Sequence, residues 1–298
     1  MNAAPRKQDE TRRNNRQAAL AMAGAAFGFA CMSALAHGLR HDLPWPVVAF
    51  VRCLVMALVM VAVLWRSGAP LVVAGNSTLW LRSVFGTLGL LSTFYSISRL
   101  PVTDTVVIFA MSPLWIAVIM AVLERAKPPA ASLAHITMAL GGVWLMERPS
   151  FSAESLPLLL AVAGSVAVAV AMVSLSRTRD YPRETVVMHF SGFSTVVTLA
   201  LSLPHAPLLA GVFGGNTHWF LLGAIGVTGT LGQLLMTAAY QKGRPTLVSV
   251  VGLSQIVFGA VFDVAIFGHR VDGWKVAGIA LIVAGITLHL ANHRGARA

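Results

Sequence analysis

Long apolar runs, separated by short polar spacers, constrain this sequence more than any other feature. A helix needs roughly 20 apolar residues to cross about 30 Å of hydrocarbon, and several of the runs reach that length. Hydrophobic residues make up 56% of the 298 positions and charged residues only 11%, against about 25% in soluble domains. Because so few charges could not cover the surface of a soluble domain, the sequence predicts an all-α membrane protein.

Ten transmembrane helices are predicted from these runs, with Pro and Gly marking the joints between them. The shortest run is kept as a span because Lys127 and Glu147 bound it. Residues 1–17 are expected to form a disordered cytoplasmic tail, and residues 292–298 a second cytoplasmic tail. The predicted spans are residues 18–38, 45–65, 79–98, 102–123, 130–146, 156–176, 185–203, 218–240, 246–268 and 274–291.

The basic residues of the spacers predict the orientation of the spans. With the N-terminus inside, fifteen Lys and Arg residues fall on the cytoplasmic side and five on the other, which favours both termini in the cytoplasm. The net charge of +11 is spread over the spacers, so no nucleic-acid partner is expected. A cleavable signal peptide ending near Ala34-Leu35-Ala36 is the alternative interpretation of the first run, and it would leave nine spans.

The cysteine and histidine patterns argue against redox, metal and catalytic chemistry. Cys31 and Cys53 lie inside apolar runs, and the nine histidines are scattered along the chain. There is no disulfide framework, no metal-ligand spacing and no nucleophile motif. The sequence therefore predicts no cofactor, no metal and no enzyme activity.

The two halves of the chain, residues 18–147 and 156–291, resemble each other at an offset of about 140. Ala23-Gly24 matches Ala163-Gly164, and Ser112-Pro113 falls on Ser254-Gln255. Each half holds five predicted spans, and because five is odd the second half enters the membrane from the opposite side. Inverted repeats of this kind are a common plan of secondary transporters that work by alternating access.

Several motifs of the chain are similar to those of a known family. In the first half they are Arg82-Ser83, Phe94-Tyr95-Ser96-Ile97, Leu100-Pro101, Asp104, Ser112-Pro113-Leu114 and Glu124. In the second half they are Thr237 to Tyr240, Ser249, Gln255, Phe267-Gly268-His269 and Gly278 to Gly285. This pattern resembles the EamA-like family of the drug/metabolite transporter superfamily, although many members have Glu where this chain has His269.

The resemblance implies transport of a small metabolite, such as an amino acid, vitamin or nucleoside-like compound, across a bacterial inner membrane. It also implies a central cavity lined by both halves. The partners expected are the substrate and the lipid bilayer, with the protein a monomer or homodimer. A passive channel and a membrane sensor that transports nothing stay open as alternatives. The scarcity of charge inside the spans favours neutral or zwitterionic cargo.

Polar and aromatic side chains inside the spans are the candidates for binding this substrate. Gln255 lies mid-span at the position that Pro113 occupies in the first half, where a proline would free a backbone carbonyl. Structural hydrogen bonding and simple packing are the alternative roles for these residues, and for Arg52 a structural role is favoured. The substrate-binding candidates are Tyr95, Trp115, Gln233, Thr237, Tyr240, Gln255 and Arg52.

Two ionisable side chains are candidates for coupling transport to protons. His189 and Asp263 both fall within predicted spans, and histidine titrates near neutral pH. The alternative is that each is a single polar group near the membrane interface.

Overall fold

The structure is a computed structural model that describes residues 3–37, 39, 42–151, 155–208, 218–266, 268 and 272–295. Within these ranges, side chains are described for residues 10–36, 39, 42–151, 155–208, 219–266, 268 and 272–292. The described chain contains helices and no strand. The helices are α1 Ala3–His37, α2 Trp45–Ser67, α3 Ser77–Arg99, α4 Val102–Ala110, α5 Ser112–Glu124, α6 Ala130–Glu147, α7 Ser155–Leu175, α8 Arg183–Ser202, α9 His218–Lys242, α10 Pro245–Gly252, α11 Ser254–Ala265 and α12 Gly273–Gly295.

Proline and glycine set the helix ends where the sequence predicts joints. Three helices, α4, α6 and α8, begin directly after Pro101, Pro129 and Pro182. Proline suits such a position because it lacks an N–H and its φ is fixed near the helical value. Helix α2 ends at Gly68, whose φ of 67° lies in the left-handed region that glycine adopts without strain.

Eight segments of the described chain are long and apolar enough to cross a membrane. Helices α4 and α5 together form one of them, and so do α10 and α11. Helices α3 and α6 correspond to two further predicted spans but are not among the eight. The prediction of ten spans and of an inverted second half therefore stays a prediction, and His269 lies outside the described residues.

Two spans are broken in the middle in the same way. Met111 donates its N–H to the carbonyls of Ile108 and Phe109, and Leu253 donates to those of Val250 and Val251. These two sets of hydrogen bonds lie at an offset of 142 residues, so matching helices of the two halves break at matching positions. The break that separates α10 from α11 needs no proline, since it follows Gly252, a poor helix former.

One expectation at the first break is wrong. Pro113 was expected to leave a backbone carbonyl free for a ligand, and the carbonyl four residues earlier belongs to Phe109. That carbonyl accepts the N–H of Met111. Because Pro113 has no N–H, it cannot bond to the Phe109 carbonyl. The tight turn at the break instead provides the N–H of Met111 for this carbonyl.

The helices pack as pairs that join one half of the chain to the other. The most extensive packing involves the pairs α1–α9, α3–α7, α2–α8 and α6–α12. Helices α1, α2, α3 and α6 of the first half correspond to α7, α8, α9 and α12 of the second. The pair α1–α9 therefore corresponds to the pair α3–α7, while α2–α8 and α6–α12 each join two corresponding helices. The two halves are thus joined along their whole length, and a space can form between them without separating the bundle.

The start of α1 departs from the expected disordered tail. Helix α1 begins at Ala3 and continues without interruption into the first predicted span. The segment contains neither Pro nor Gly between Arg6 and Ala23 and is rich in Arg and Ala, which favour helix. Asn15 accepts the backbone N–H of Arg244 at 3.3 Å, and Gln17 accepts from the Lys242 ammonium at 3.3 Å. These contacts hold the polar end of α1 against the loop that follows α9.

Helices α6 and α12 approach each other through two glycines. A Cβ atom added at Gly278 would lie 2.6 Å from the carbonyl oxygen of Gly142, and one added at Gly142 would lie 2.6 Å from that of Gly278. Real Cβ atoms do not approach backbone oxygens so closely, so these two positions fix the helix separation. Small residues at such contacts are characteristic of helix pairs in membranes.

We expect Gly278→Ala to lower the free energy of unfolding by about 1–3 kcal/mol, because the added methyl group must push the two backbones apart. Gly141→Ala is the matched control, since a Cβ there meets no atom within 4 Å and should be neutral or slightly stabilising. Thermal unfolding of both variants in detergent checks this. Equal melting temperatures for the two variants would contradict the close packing of α6 on α12.

Candidate functional site

A cavity of about 470 Å³ lies between the two halves of the bundle. Its lining comes from α1, α3, α4, α5 and α6 of the first half and from α7, α9, α10 and α11 of the second. Cavities of roughly 300–1,000 Å³ hold small-molecule ligands. The size and position of this cavity agree with the central cavity that the family resemblance implies.

The cavity is closed at one end and accessible at the other. At the closed end the lining side chains of Met22, Met172 and Tyr240 are buried. At the other end Val102 and Asp263 line it and are exposed. We call these the Tyr240 end and the Asp263 end.

Three neutral polar residues of the cavity lining lie near the two helix breaks. Ser112 and Gln255 lie in the first turns of α5 and α11, just after the breaks, and Ser249 lies on α10 just before one. Each side chain is thus placed by a local departure from regular helix. The arrangement offers neutral hydrogen-bonding groups at mid-cavity and a phenol at the closed end.

Three of the sequence-predicted residues lie on the cavity wall. Gln255 and Tyr240 were predicted to bind substrate, and Asp263 was predicted to carry protons; all three line the cavity. The structure thereby gives these three residues access to a ligand, and their roles stay predictions. The other candidates do not line the cavity.

Gln233 and Thr237 lie on α9 but face the packed interior. Gln233 accepts a hydrogen bond at 3.0 Å from the Arg82 guanidinium, which stacks 4.3 Å from the ring centroid of Phe190. Thr237 is completely buried, and its hydroxyl has no hydrogen-bond partner among the described residues. Arg82 is 1% exposed, and its Nε and Nη1 atoms have no hydrogen-bond partner there.

Tyr95, Trp115 and Arg52 each have a packing contact instead. The Tyr95 ring packs edge-on against Trp45, with ring centroids 6.4 Å apart. Trp115 donates its indole N–H to the Ser165 hydroxyl at 3.1 Å, which links α5 to α7. Arg52 is buried and lies 5.9 Å from the ring centroid of Phe94.

The structure does not bring His189 and Asp263 together. His189 forms a 2.7 Å hydrogen bond with the Ser83 hydroxyl and a 3.3 Å contact with the Val73 carbonyl, and Trp80 packs edge-on against its ring. His189 lies near the start of α8, whereas Asp263 lies near the end of α11. These positions belong to opposite ends of the bundle, and sequence periodicity could not show this.

The carboxylate near Asp263 is that of Glu147, which in the sequence only marks the boundary of a predicted span. Glu147 lies at the end of α6, one residue beyond the predicted span, and lines the cavity. The pKa of Glu147 is raised to about 7, chiefly by burial and also by the negative charge of Asp263, while the positive charge of Lys275 opposes the rise. In the sequence, the only feature that could have marked Glu147 as a site residue is its position at a helix end. Many loop residues without a role in a site share that feature.

A second cavity of about 600 Å³ lies at the opposite end of the bundle. It is bounded by the ends of α5 and α7 and by the starts of α6 and α10. Four basic side chains and two acidic ones line it, namely Lys127, Arg177, Arg179 and Arg244 together with Glu124 and Asp180. We call it the basic vestibule.

Among residues 3–37, 42–151, 155–208, 218–266 and 272–295, no group of three or more His, Cys, Asp or Glu side chains lies close enough together to hold a metal ion.

Comparison with known proteins relates this fold to transporters. The sequence profile described as the EamA-like transporter family matches residues 16–148 and, separately, residues 155–291. The pseudopaline exporter CntI of Pseudomonas aeruginosa is 28% identical over 262 residues, which covers 87% of this chain and 90% of the exporter. Mouse solute carrier family 35 member G1 is 25% identical over 258 residues, 79% of this chain and 68% of that protein.

The fold is shared with a protein of known structure. A solved crystal structure superposes on 94% of this chain and 99% of its own length with a TM-score of 0.78, at 19% sequence identity. At that identity the likeness shows the fold alone. The helices and the relatives together make this a multi-pass membrane protein, and the chain belongs to the EamA-like transporter family.

Proposed function

We propose that this protein is a secondary transporter that moves a small metabolite through the cavity by alternating access. The observation that carries the proposal is a ligand-sized cavity lined by both halves of the chain, closed at the Tyr240 end and accessible at the Asp263 end. Access from one side at a time is what alternating access requires. The broken helices beside the cavity are a feature of secondary transporters.

We further propose that the protein resides in a bacterial inner membrane with the basic vestibule toward the cytoplasm. The excess of Arg and Lys at that end supports this orientation, and bacterial relatives support the location. The cavity then opens away from the cytoplasm in this structure. Similarity to a protein named as an exporter supports export as the direction of transport.

Counterflow in proteoliposomes tests this proposal directly. Purified protein is reconstituted, vesicles are loaded with an unlabelled compound, and uptake of the labelled compound is followed for amino acids, nucleosides and vitamins. Saturable, transient accumulation of one compound supports a carrier. Flux that does not saturate and shows no counterflow would identify a passive channel, and no flux of any compound by folded protein would favour a sensor.

Gln255→Ala should raise the KM for the transported compound by about three- to tenfold, because one hydrogen bond to a ligand contributes about 0.5–1.5 kcal/mol. Thr137→Val is the control, since Thr137 is exposed and bonds only to carbonyls of its own helix. The KM from counterflow checks both variants. An unchanged KM in Gln255→Ala would remove Gln255 from the binding site.

A further inference from the structure

The charges on the cavity wall all have one sign. Glu147 and Asp263 are the two ionisable carboxyl groups on the lining, and none of the described lining residues is Lys, Arg or His. The basic vestibule at the opposite end carries a net positive set of side chains. The two ends of the bundle therefore attract ions of opposite charge, and the cavity attracts cations.

Neither carboxylate is neutralised by a close ion pair with a described residue. The basic residue next to Glu147 in sequence, Arg148, pairs with Asp272 at 3.9 Å and stacks on Trp274. The ion pairs found in the described chain are this one and that of Arg183 with Glu184. Like charges held together in a partly buried site favour uptake of a cation or a proton.

Two charged side chains close to Glu147 influence the protonation of its carboxyl group. Asp263 on α11 faces it with a negative charge and Lys275 on α12 with a positive charge. Asp104 on α4 is engaged by the backbone N–H groups of Ser150 and Phe151. Near neutral pH, Glu147 is thus close to half protonated, so that a cation arriving at the site and a proton compete for the same carboxylate.

The other end of the cavity offers a separate polar contact. Tyr240 is 2% exposed, lines the cavity, and its hydroxyl forms no hydrogen bond with any residue that the structure describes. A buried phenol without a partner is costly unless a ligand or water satisfies it. A ligand held at the acidic pair by one group can extend along the cavity toward this hydroxyl.

We propose that the cavity binds a cargo bearing a positively charged amine, held by Glu147 and Asp263, and that binding displaces the proton of Glu147 to the solvent. This inference rests on the proposed transporter function and specifies its substrate class. It replaces the predicted pair of His189 and Asp263 with Glu147 and Asp263. A cargo of this kind is exchanged for a proton at one site, which couples the two without a second binding site.

Three matched probes test the charge preference on the full-length protein in detergent. 4-Fluorobenzylamine, 4-fluorobenzyl alcohol and 4-fluorobenzoate share one ring and differ in charge, and their binding is measured by ¹⁹F NMR line broadening. We expect saturable binding of the amine in preference to the alcohol and the benzoate. The amine stays protonated from pH 6 to pH 8, so any change in its affinity over that range reports on the protein.

The pH dependence is the sharper measurement. With a Glu147 pKa of about 7, the ionised fraction rises about tenfold between pH 6 and pH 8, and the affinity for the amine should rise about tenfold with it. Glu147→Gln should abolish this dependence and weaken binding. Asp263→Asn should weaken binding and move the midpoint to lower pH, whereas Lys275→Met should move it to higher pH. Glu124→Gln, in the basic vestibule, should change neither.

Asp263→Asn and Lys275→Met should shift the midpoint of the pH dependence in opposite directions. Variants that only disturbed the local structure would not produce such opposite shifts. Equal binding of the three probes, no saturable binding of the amine, or an affinity that is independent of pH in wild-type protein would each overturn the proposal. Because these measurements report binding to solubilised protein, they stand apart from counterflow. Amine binding without counterflow would refute transport and leave the cation site, while counterflow of an anionic compound alone would refute the cation site and leave the transporter.

Discussion

Replacing Asp104 with alanine should lower the free energy of unfolding by about 3 kcal/mol or more. Asp104 is fully buried in the first turn of α4, where its carboxylate accepts the N–H groups of Ser150 at 2.8 Å and Phe151 at 3.0 Å. Each hydrogen bond to a charged group contributes about 1.5–3 kcal/mol, and its loss leaves a backbone donor unsatisfied. The effect is large because one side chain holds Ser150 and Phe151, where the connection between the two halves begins.

The geometry of that loop makes the anchor more important. Phe151 has a φ of 46°, a left-handed conformation that non-glycine residues adopt only when neighbouring contacts enforce it. The two bonds to Asp104 supply such contacts. Without them the loop is expected to relax, and α4 loses its connection to the segment before α7.

Thermal unfolding and gel filtration in detergent check this prediction. If Asp104→Ala does not fold, Asp104→Asn retains one acceptor oxygen and should be folded with an intermediate melting temperature. Asp42→Asn is the matched control, because Asp42 is exposed. A melting temperature for Asp104→Ala within a degree of wild type would show that the loop is held by other contacts.

Replacing Arg82 with methionine should leave the protein folded and at least as stable, yet reduce counterflow at least tenfold. The guanidinium is buried, and among the residues that the structure describes it has one hydrogen bond, to Gln233, and two nitrogens without a partner. Replacing a buried ion pair with apolar side chains of similar volume is often neutral or stabilising by about 1–4 kcal/mol, and here the partner left behind is the neutral amide of Gln233 and not a charge. A charge kept at such a cost inside a membrane protein is by default functional.

The position of Arg82 indicates what that function is. Its bond to Gln233 joins α3 of the first half to α9 of the second, and both helices line the cavity. Arg82 also lies close enough to Tyr240 for an electrostatic interaction. We therefore expect it to fix the two halves relative to each other at the closed end of the cavity.

A double-mutant cycle separates this role from simple packing. Gln233→Leu alone removes the one hydrogen-bond partner of the guanidinium and should lower the melting temperature, while Arg82→Met with Gln233→Leu should recover it because an apolar pair replaces the polar one. Counterflow should stay low in the double variant. Full transport activity in a stable Arg82→Met protein would contradict a functional role for the buried charge.

The sequence predicted the helices well because their determinants are local. The predicted span 156–176 coincides with α7, Ser155–Leu175, and span 45–65 with α2, Trp45–Ser67. Apolar length, proline at the first turn and glycine after the last turn act within a few residues of each helix end. The sequence did not predict the two helix breaks, since residues 102–123 and 246–268 were each expected to form one span, although it aligned Ser112 with Ser254, which follow the breaks.

The candidate site was predicted less well. Helical periodicity shows which residues share one face of a helix, but it does not show which residues of other helices that face contacts. Gln233 and Tyr240 lie on one face of α9, seven residues apart, yet Tyr240 lines the cavity and Gln233 bonds to Arg82. A helical wheel cannot distinguish these outcomes, since the difference depends on which helix packs at each level. Trp115 lies in α5, within the predicted span, but its indole N–H donates a hydrogen bond to Ser165 and does not face the cavity.

The sequence alone determined the helical membrane fold, its division into two similar halves and its family, because apolar length, turn chemistry and motif spacing are encoded along the chain. The tertiary structure decided which polar side chains meet. The partners of Arg82 and His189 lie 151 and 106 residues away in the chain, and Glu147 and Asp263, from different halves, lie close enough for their charges to interact. Such contacts follow from the packing of whole helices, which balances burial over many residues and leaves no local mark in the sequence.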